Sequence, residues 1–405
     1  MNVPFFRVDC SGRELHYLQQ VLESGWLTTS RFAAQLEQRF AETLGVPHAI
    51  AVNSCTAALH LAVEALGVGP GTPVLVPTLT FTATAEVVRY LGGQIVLCDV
   101  DPRSGLLTPE ILAAALDRHP EVRVVMPVHF GGLACDLEAL RAIAEPRGVA
   151  IVEDAAHAFP TRYPTQDGAA GAYVGAGRSA ACCFSFYANK TMTTGEGGLL
   201  VTRDDAIAER VRRMRLHGID RDVWKRFTST NAGWQYDVVA AGYKYNMPDL
   251  NAAVGLAQFE RAFEFHESRV RLVERYFEEL SGIDGIELPV SSPDPRHHAW
   301  HLFPIVLSPG SGFDRDAIIE RLAAEGVGTS VHYRPLHRMT YWQQETGATP
   351  EAFPGAEHRW QGTFSLPLYP SMREDEQRHV VASLRRILKA PPIVEIPGPA
   401  TIAAR

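Results

Sequence analysis

The sequence lacks several features that mark proteins outside the ordinary globular class. No apolar run is long enough to span a bilayer, and the first residues, MNVPFFRVDCSGRE, contain no basic segment followed by a long apolar run. There is no dense block of Lys and Arg, and the formal net charge of -8 argues against a nucleic-acid partner. The six cysteines include no C-x-x-C pair, so free thiols in a reducing cytoplasm are the simplest interpretation. We therefore expect a cytoplasmic protein that binds no membrane, no nucleic acid and no metal.

The chain has the length and the alternating pattern of a large α/β protein. Its 405 residues are 46% hydrophobic and 21% charged, which suits more than one packed unit. Between residues 45 and 205, short β-branched runs such as VLVP and IVLCDV alternate with helical patterns. This alternation predicts an α/β fold in which helices cover both faces of a parallel sheet. Ligands bind such sheets beyond the carboxyl ends of the strands.

The predicted elements suggest a division of the chain near residue 250. The predicted strands of the first part are Val74–Pro77, Ile95–Val100, Val122–Val128 and Ala150–Asp154, and its predicted helices are Thr84–Leu91, Pro109–Asp117 and Leu137–Arg147. The predicted elements of the second part are a long, interrupted helix Asp249–Leu280, a strand Leu302–Leu307 and helices Arg315–Ala324 and Glu374–Lys389. We predict a large α/β domain over residues 1–250, a linker helix with a small α+β domain over 251–390, and a Pro-rich flexible tail over 391–405.

The first segment with chemical potential is NSCTAALHLAVEALG, residues 53–67. Ser54 or Thr56 can cap the helix that follows, and the N-terminus of that helix offers free N–H groups and a positive dipole end to a phosphate. Most capped helices bind nothing, so the segment alone favours a plain cap.

The second segment is IVEDAAHAF, in which Asp154 ends a strand that should be central and buried. A buried carboxylate needs a cationic or N–H partner, and one candidate is the protonated ring nitrogen of a cofactor. An internal salt bridge or a helix cap explains Asp154 equally well. His157 could bond a ring substituent or be a satisfied core histidine.

The third segment is FSFYANKTMTTGEGG, where Lys190 follows Ser185 across a predicted turn. A lysine that is partly desolvated has a lowered pKa and becomes a nucleophile toward carbonyls. The ordinary alternative is a surface lysine on a flexible loop. In combination, however, a phosphate seat, a strand-end aspartate and a lysine after a serine, in this order on a parallel sheet, are the groups that hold pyridoxal phosphate.

At the level of whole motifs, the sequence resembles the DegT/StrS-type sugar aminotransferases, which are fold-type I pyridoxal phosphate enzymes with a mostly parallel seven-stranded central sheet. The resemblance extends from SGWLTTS, which begins at residue 24, to SLPLYPSM, which ends at residue 372. The most specific motifs are EDAAHA, FSFYANKTMTTGEGG, HGI at 217–219 and GYKYNMPDLNAAVGLAQ at 242–258.

The resemblance implies a role for individual residues. Lys190 would form the Schiff base with pyridoxal phosphate, and Asp154 would bind the pyridine nitrogen. The other residues that would contact the cofactor are Thr56 and Ala57 (backbone N–H groups to the phosphate), Ser185 (hydroxyl to the phosphate), Phe81 (ring stacking), His157 (near the ring phenolic oxygen) and Lys244 (phosphate of the other subunit in an obligatory homodimer). The residues on the substrate side would be His217, His332 and Tyr333.

Within the family, the GYKYN and HAWHLF motifs look closest to the branch that includes UDP-4-amino-4-deoxy-arabinose synthase. Many members carry Asn at the position of Lys244 and Arg at that of Asn246. Two segments depart from the family pattern: Ser30-Arg31 stands where Gly-Pro is usual, and the loop over residues 161–179 is longer. Both should border the substrate, so the identity of the sugar and nucleotide is not carried over.

The implied reaction is a two-stage, ping-pong transfer through the internal aldimine of Lys190 and a pyridoxamine phosphate form. L-Glutamate would be the donor, and the acceptor would be a keto group, most simply at C4, of a nucleotide-linked deoxy sugar. A 3-keto sugar or a cyclitol ketone is the alternative acceptor. Lys190 argues against the related dehydratases, which carry histidine there. The intact set Thr56, Asp154, Ser185 and Lys190 argues against a catalytically silent regulatory protein of this fold.

Overall fold

Two β-sheets organise the computed structural model, which describes residues 1–165, 169, 171–220 and 236–389. The larger sheet has seven strands between residues 48 and 202, and the smaller has three strands between residues 286 and 366. The predicted flexible tail 391–405 and residues 166–168 and 170 of the predicted long loop lie outside the described residues.

The larger sheet and its helices are formed by the first part of the chain. Its strands are β1 (His48–Val52), β2 (Pro73–Pro77), β3 (Gln94–Cys98), β4 (Val124–Val125), β5 (Ala150–Asp154), β6 (Ala181–Ser185) and β7 (Gly198–Thr202). The accompanying helices are α1 (Glu14–Ser24), α2 (Arg31–Leu44), α3 (Cys55–Ala65), α4 (Ala83–Tyr90), α5 (Pro109–Arg118), α6 (Leu137–Ala144) and α7 (Asp205–Met214).

The strand directions bring the carboxyl ends of most strands to one edge. The spatial order is β1-β7-β6-β5-β4-β2-β3. Strand β7 is antiparallel to both of its neighbours, and the other pairs are parallel. Because β7 runs against both β1 and β6, those two strands point the same way. The prediction of a mostly parallel seven-stranded sheet is confirmed.

Both faces of the larger sheet are buried, which explains its continuous apolar strands. In β5, Ile151 packs into the core on one face and Val152 into the core on the other. In β7, Leu199 and Leu200 divide in the same way. Successive side chains of a strand point to opposite faces, so a strand covered on both sides needs apolar residues at every position.

Two elements differ from their predicted form. Strand β4 is confined to Val124–Val125, where Val122–Val128 was predicted, and Val128 rejoins the sheet only through an isolated bridge to Asp154. Pro127 lacks the N–H that a ladder requires, which ends regular pairing there. The long helix α8 (Asp249–Leu280) is one uninterrupted element of 32 residues, where breaks were predicted.

The smaller sheet is antiparallel and has its own apolar core. Its strands are β8 (Ile286–Glu287), β9 (Phe303–Leu307) and β10 (Thr363–Leu366), in the order β10-β9-β8. The remaining helices are α9 (Arg315–Ala324), α10 (Thr340–Thr346), α11 (Pro354–Gly362) and α12 (Glu374–Lys389). Across the described ranges, we find no helix both long and apolar enough to cross a bilayer.

The two packing units exchange segments of chain. Val3 forms a parallel bridge with Val327 and is buried in the core of the smaller sheet. Conversely, Leu336 and Trp342 are buried in a core of the larger sheet. The division of the chain at residue 250 stays a prediction. Residues from both sides of that position pack into both cores.

Candidate active site

A cavity of about 420 Å³ opens at the edge of the larger sheet where β1, β5 and β6 end. Segments that follow these strands line it, together with a segment near residue 333 that precedes α10. The predicted site residues that line this cavity are Thr56, Phe81, Asp154, His157, Ser185, Lys190, His332 and Tyr333. The predicted location beyond the carboxyl ends of parallel strands therefore agrees with the structure.

The N-terminus of α3 lies at one end of the cavity. Ser54 is the cap of this helix, and its Oγ accepts the N–H of Ala57 at 3.0 Å. The N–H that we expected Ala57 to donate to a phosphate is therefore already used, and Ala57 does not line the cavity. Thr56 and the Ser185 hydroxyl do face it. A helix N-terminus and a hydroxyl at one point suit an anion.

Asp154 ends β5 and is only 5% exposed. Its carboxylate accepts the hydroxyl of Thr84 at 2.8 Å and the N–H of Ala156 at 3.1 Å. Burial raises the pKa of Asp154, while these two hydrogen bonds counteract the shift. Among the described residues it forms no ion pair. The site therefore contains a buried carboxylate that lacks a bound cation.

Lys190 follows β6 by one short turn, in which its N–H donates to the carbonyl of Tyr187 at 3.0 Å. The side chain is only partly exposed and lines the cavity. Burial lowers the pKa of Lys190 to about 8, against the opposing effect of Cys55 and Asp154. No described residue accepts a hydrogen bond from its amine. The unprotonated form of such an amine is a nucleophile toward a carbonyl carbon.

Two histidines and a tyrosine form the wall opposite Asp154. His157 accepts the N–H of Gly131 at 3.2 Å, and its other ring nitrogen lies 3.0 Å from the Tyr333 hydroxyl. His332 lies 3.2 Å from the hydroxyl of Ser365, and burial beside Lys190 lowers the pKa of His332 to about 4. Burial also lowers the pKa of His157 and raises the pKa of Tyr333. All three side chains are therefore neutral hydrogen-bonding groups at pH 7.

Phe81 lies at the mouth of the cavity with 57% of its surface exposed. The centroid of its ring is 5.9 Å from that of Tyr333. An exposed aromatic ring on a cavity wall is available to stack on a flat ligand.

Two further predicted residues do not line this cavity. Lys244 is exposed and pairs through an isolated bridge with Leu216. His217 is also exposed, and its backbone has a positive φ of 58°. Neither lines the cavity of its own chain.

Sequence reasoning missed several residues that shape the cavity. Thr84 is fully buried and holds Asp154, although 70 residues separate them. Glu196, to which the sequence assigned no role, lines the cavity. Thr84 lies in the first turn of α4, three residues after Phe81, and no local pattern indicated its contact with Asp154.

A buried network holds Tyr163 and Ser179, near the two ends of the predicted loop over residues 161–179, next to the strand that carries Asp154. The neighbouring Glu153 is fully buried and accepts hydrogen bonds from His129 at 2.9 Å, from Tyr163 at 2.7 Å and from Ser179 at 2.5 Å. Tyr163 and Ser179 belong to the loop whose length departs from the expected pattern. The loop is therefore attached to the strand that carries Asp154.

The residues of the cavity fit pyridoxal phosphate. The cavity presents a buried carboxylate without a cationic partner for a pyridinium, a free amine for an aldehyde and a helix N-terminus for a phosphate. Within the described residues, no group of three or more His, Cys, Asp or Glu side chains is arranged to hold a metal ion.

Comparison with known proteins identifies the family. The family model "DegT/DnrJ/EryC1/StrS aminotransferase family" matches residues 9–385. The spore coat polysaccharide biosynthesis protein SpsC of Bacillus subtilis (strain 168) is 41% identical over 378 residues, which cover 93% of this chain and 94% of that protein. Among solved structures, DesV of S. venezuelae in complex with a ketimine intermediate has a TM-score of 0.85 at 31% identity, over 96% of this chain and 99% of that one.

A further solved structure bears on the cofactor. Spr1654 of Streptococcus pneumoniae has a TM-score of 0.87 in its PMP form and 0.86 in its PLP form, at 27% identity over 96% of this chain and 99% of that one. The chain therefore belongs to the DegT/DnrJ/EryC1/StrS aminotransferase family and is a pyridoxal-phosphate-dependent sugar aminotransferase.

Proposed function

We propose that this enzyme transfers the amino group of L-glutamate to the C4 keto group of a nucleotide-linked deoxy sugar. The observation that carries the proposal is the unpaired amine of Lys190 in one cavity with the buried carboxylate of Asp154. An amine with a pKa of about 8 both attacks a carbonyl and exchanges protons near neutral pH.

Five residues of the cavity have a role in this proposal. When bound, pyridoxal phosphate supplies an electron sink for the bonds at the amino carbon. Lys190 would hold the aldehyde of the cofactor. It would then move a proton between the α-carbon of the amino donor and the cofactor carbon that receives the amino group. Asp154 would keep the pyridine nitrogen protonated, and Thr56 with Ser185 would hold the phosphate. Phe81 would stack on the ring and limit its tilt.

The acceptor is proposed from the resemblance and from one relative. The name of SpsC places that protein in polysaccharide biosynthesis. Polysaccharides are built from activated sugars, which favours a nucleotide-linked acceptor here. Lys244 and Asn246 support the branch that includes UDP-4-amino-4-deoxy-arabinose synthase. Asn246 donates to Thr29 at 2.6 Å, in the turn just before the unusual Ser30-Arg31 pair.

The subunit arrangement is also part of the proposal. Lys244 is exposed and does not line the cavity of its own chain, which is compatible with a residue that serves a neighbour. We propose a homodimer in which Lys244 of each chain reaches the phosphate in the partner. His217 would approach the substrate, and His332 would contact the sugar or the donor from within the same cavity.

The deciding experiment offers a panel of acceptors to the pyridoxamine form of the enzyme. The panel contains nucleotide-linked 4-keto sugars, 3-keto sugars and cyclitol ketones, and recovery of the absorbance of the pyridoxal form reports amination. We expect recovery with a 4-keto sugar only. Lys190→Ala is the control and should be inert in both directions. Reaction with cyclitol ketones alone would overturn the acceptor class, and a wild-type spectrum indifferent to glutamate would overturn the donor.

A further inference from the structure

The hydrogen bonds of His157 determine the direction in which Tyr333 donates. Nδ1 of His157 lies 3.2 Å from the backbone nitrogen of Gly131. An amide N–H can only donate, so this ring nitrogen accepts and carries no proton. The ring is 5% exposed, and burial, with the charge of Lys190, lowers the pKa of His157 well below its usual range. The neutral ring therefore carries its single proton on Nε2.

The Tyr333 hydroxyl must then accept from His157. The Nε2 atom and the phenolic oxygen are 3.0 Å apart. Because Nε2 carries the proton, it donates a hydrogen bond to the phenolic oxygen. The O–H of Tyr333 therefore points away from His157. In the described part of the chain the phenol makes no second hydrogen bond. Burial raises the pKa of Tyr333, so it keeps its proton throughout the working pH range.

The phenol is held rigidly against the cavity. Tyr333 lines the cavity together with Lys190. Its ring centroid lies 5.9 Å from that of Phe81 and 6.4 Å from that of Phe130, which meets it edge-on. The ring of His157 packs against His301 with centroids 4.5 Å apart. A hydroxyl whose ring is packed and whose oxygen already accepts from His157 is preorganised to donate to a ligand oxygen.

We propose that Tyr333, oriented by His157, donates a hydrogen bond to an oxygen atom of the bound reactants beside Lys190. This inference rests on the proposed function. Two oxygens have the required chemistry: the keto oxygen of either keto substrate, the sugar or 2-oxoglutarate, which takes up protons when it leaves as water, and the phenolic oxygen of the cofactor. Both ring nitrogens of His157 are engaged, so the contact expected between His157 and the phenolic oxygen has no free donor in this geometry.

The ring protonation is tested without any cofactor or turnover. Nitrogen NMR of histidine-labelled protein should show His157 protonated at Nε2, and Tyr333→Phe should move that resonance because its acceptor is lost. His157→Gln assigns the resonance by removing it. A resonance that shows the proton on Nδ1 would overturn the inference, since the phenol would then donate to the ring.

The ligand oxygen is identified with Tyr333→Phe in the holoenzyme. If the partner is the cofactor oxygen, the absorbance of the bound cofactor shifts before any substrate is added. If the partner is the keto oxygen, the absorbance is unchanged and the half-reactions with glutamate and with 2-oxoglutarate slow on the order of 10²-fold. An unchanged spectrum together with unchanged half-reactions would refute the role of Tyr333.

Two controls keep the outcomes separate. Tyr90→Phe removes the same atom from a ring that is 58% exposed, and it should change neither spectrum nor rate. Thermal denaturation of both variants shows whether Tyr333→Phe is folded. The half-reactions use no sugar, so failure of the proposed sugar acceptor leaves this test intact. If the wild-type enzyme ignores glutamate, the proposed donor fails, whereas the NMR result still decides the direction in which Tyr333 donates.

Discussion

At the scale of single residues, Lys190 shows how burial creates a reactive group. The amine lies in the same cavity as the carboxylate of Asp154, which is itself held by hydrogen bonds. Desolvation disfavours the ammonium more than Asp154 favours it, and the pKa falls from 10.5 to about 8. The residue is thereby changed from a permanent cation into a group that gains and loses its proton near neutrality.

The first prediction concerns the pH dependence of this amine. Only the unprotonated amine attacks an aldehyde, so the rate at which cofactor-free protein binds pyridoxal phosphate should rise with pH through a midpoint near 8. Stopped-flow absorbance across pH 6 to 10.5 measures it, with Lys190→Ala as the blank. A midpoint close to the 10.5 of an ordinary lysine would contradict the desolvation argument.

The second prediction concerns Thr84. Thr84→Val removes the hydroxyl that donates to Asp154 at 2.8 Å but keeps the shape of the buried side chain. A hydrogen bond to a charged group contributes about 1.5–3 kcal/mol, so the cofactor dissociation constant should rise on the order of 10- to 100-fold. Thr84→Ser retains the hydroxyl and should bind nearly as well as wild type. Equal affinities for both variants, measured by absorbance titration, would show that Thr84 does not support Asp154.

At the scale of elements, the last glycine of the run after Lys190 determines how closely β7 approaches the turn before α3. Gly198 begins β7, next to the turn that connects β1 to α3. A Cβ on Gly198 would lie 2.4 Å from the carbonyl carbon of Ser54, which is closer than real Cβ atoms approach other heavy atoms. The absence of a side chain at Gly198 therefore positions the helix N-terminus that faces the cavity.

The third prediction follows from this contact. Gly198→Ala must displace the backbone at Ser54, which should cost about 1–3 kcal/mol of unfolding free energy and weaken cofactor binding. Gly69→Ala is the matched control, because the nearest atom to its Cβ is 4.0 Å away. Chemical denaturation and cofactor titration of both variants provide the measurement. A Gly198→Ala protein as stable as Gly69→Ala would contradict the packing argument.

The sequence predicted these elements well wherever the deciding forces are local. Strand β5 and helix α12 begin and end where the pattern indicates, because strand burial and helix periodicity are visible in neighbouring residues. The contact of Thr84 with Asp154 could not be predicted, since it joins residues that are distant in the chain. The shortening of β4 depends on where Pro127 falls in the ladder, which is a matter of register.

At the scale of the whole molecule, the position of Lys244 leads to a prediction about subunits. If Lys244 completes the partner's site, Lys190→Ala and Lys244→Ala proteins should complement each other. In a mixed dimer one site lacks both lysines and the other is intact. An equal mixture, refolded together, should therefore regain on the order of one quarter of wild-type activity, provided that each variant alone is inactive.

The control for this fourth prediction places both substitutions in one chain. When the Lys190→Ala/Lys244→Ala protein is mixed with wild type, a mixed dimer contains no intact site, so activity should fall below that of a simple dilution. If each Lys244 served its own chain or no chain, mixing the two single variants would restore no activity. The mixture with wild type would then show only the activity expected from dilution.

Much of the cavity lining was predictable because its polar residues stand at or just after strand ends, where the apolar pattern stops. Asp154 and Ser185 are the last residues of their strands, and Lys190 follows by one turn. The pairing of His157 with Tyr333, 176 positions along the chain, depends on how the later part of the chain folds back over the sheet edge. No local pattern carries that information.

The attachment of residues 161–179 to Glu153 has a consequence for protein engineering. A loop of unusual length beside an active site is an obvious segment to exchange between relatives when a new acceptor is wanted. In this enzyme, a graft that omits the hydroxyls of Tyr163 and Ser179 would leave a buried carboxylate with two of its three donors missing, one residue from Asp154. Loop and strand therefore have to be transplanted together.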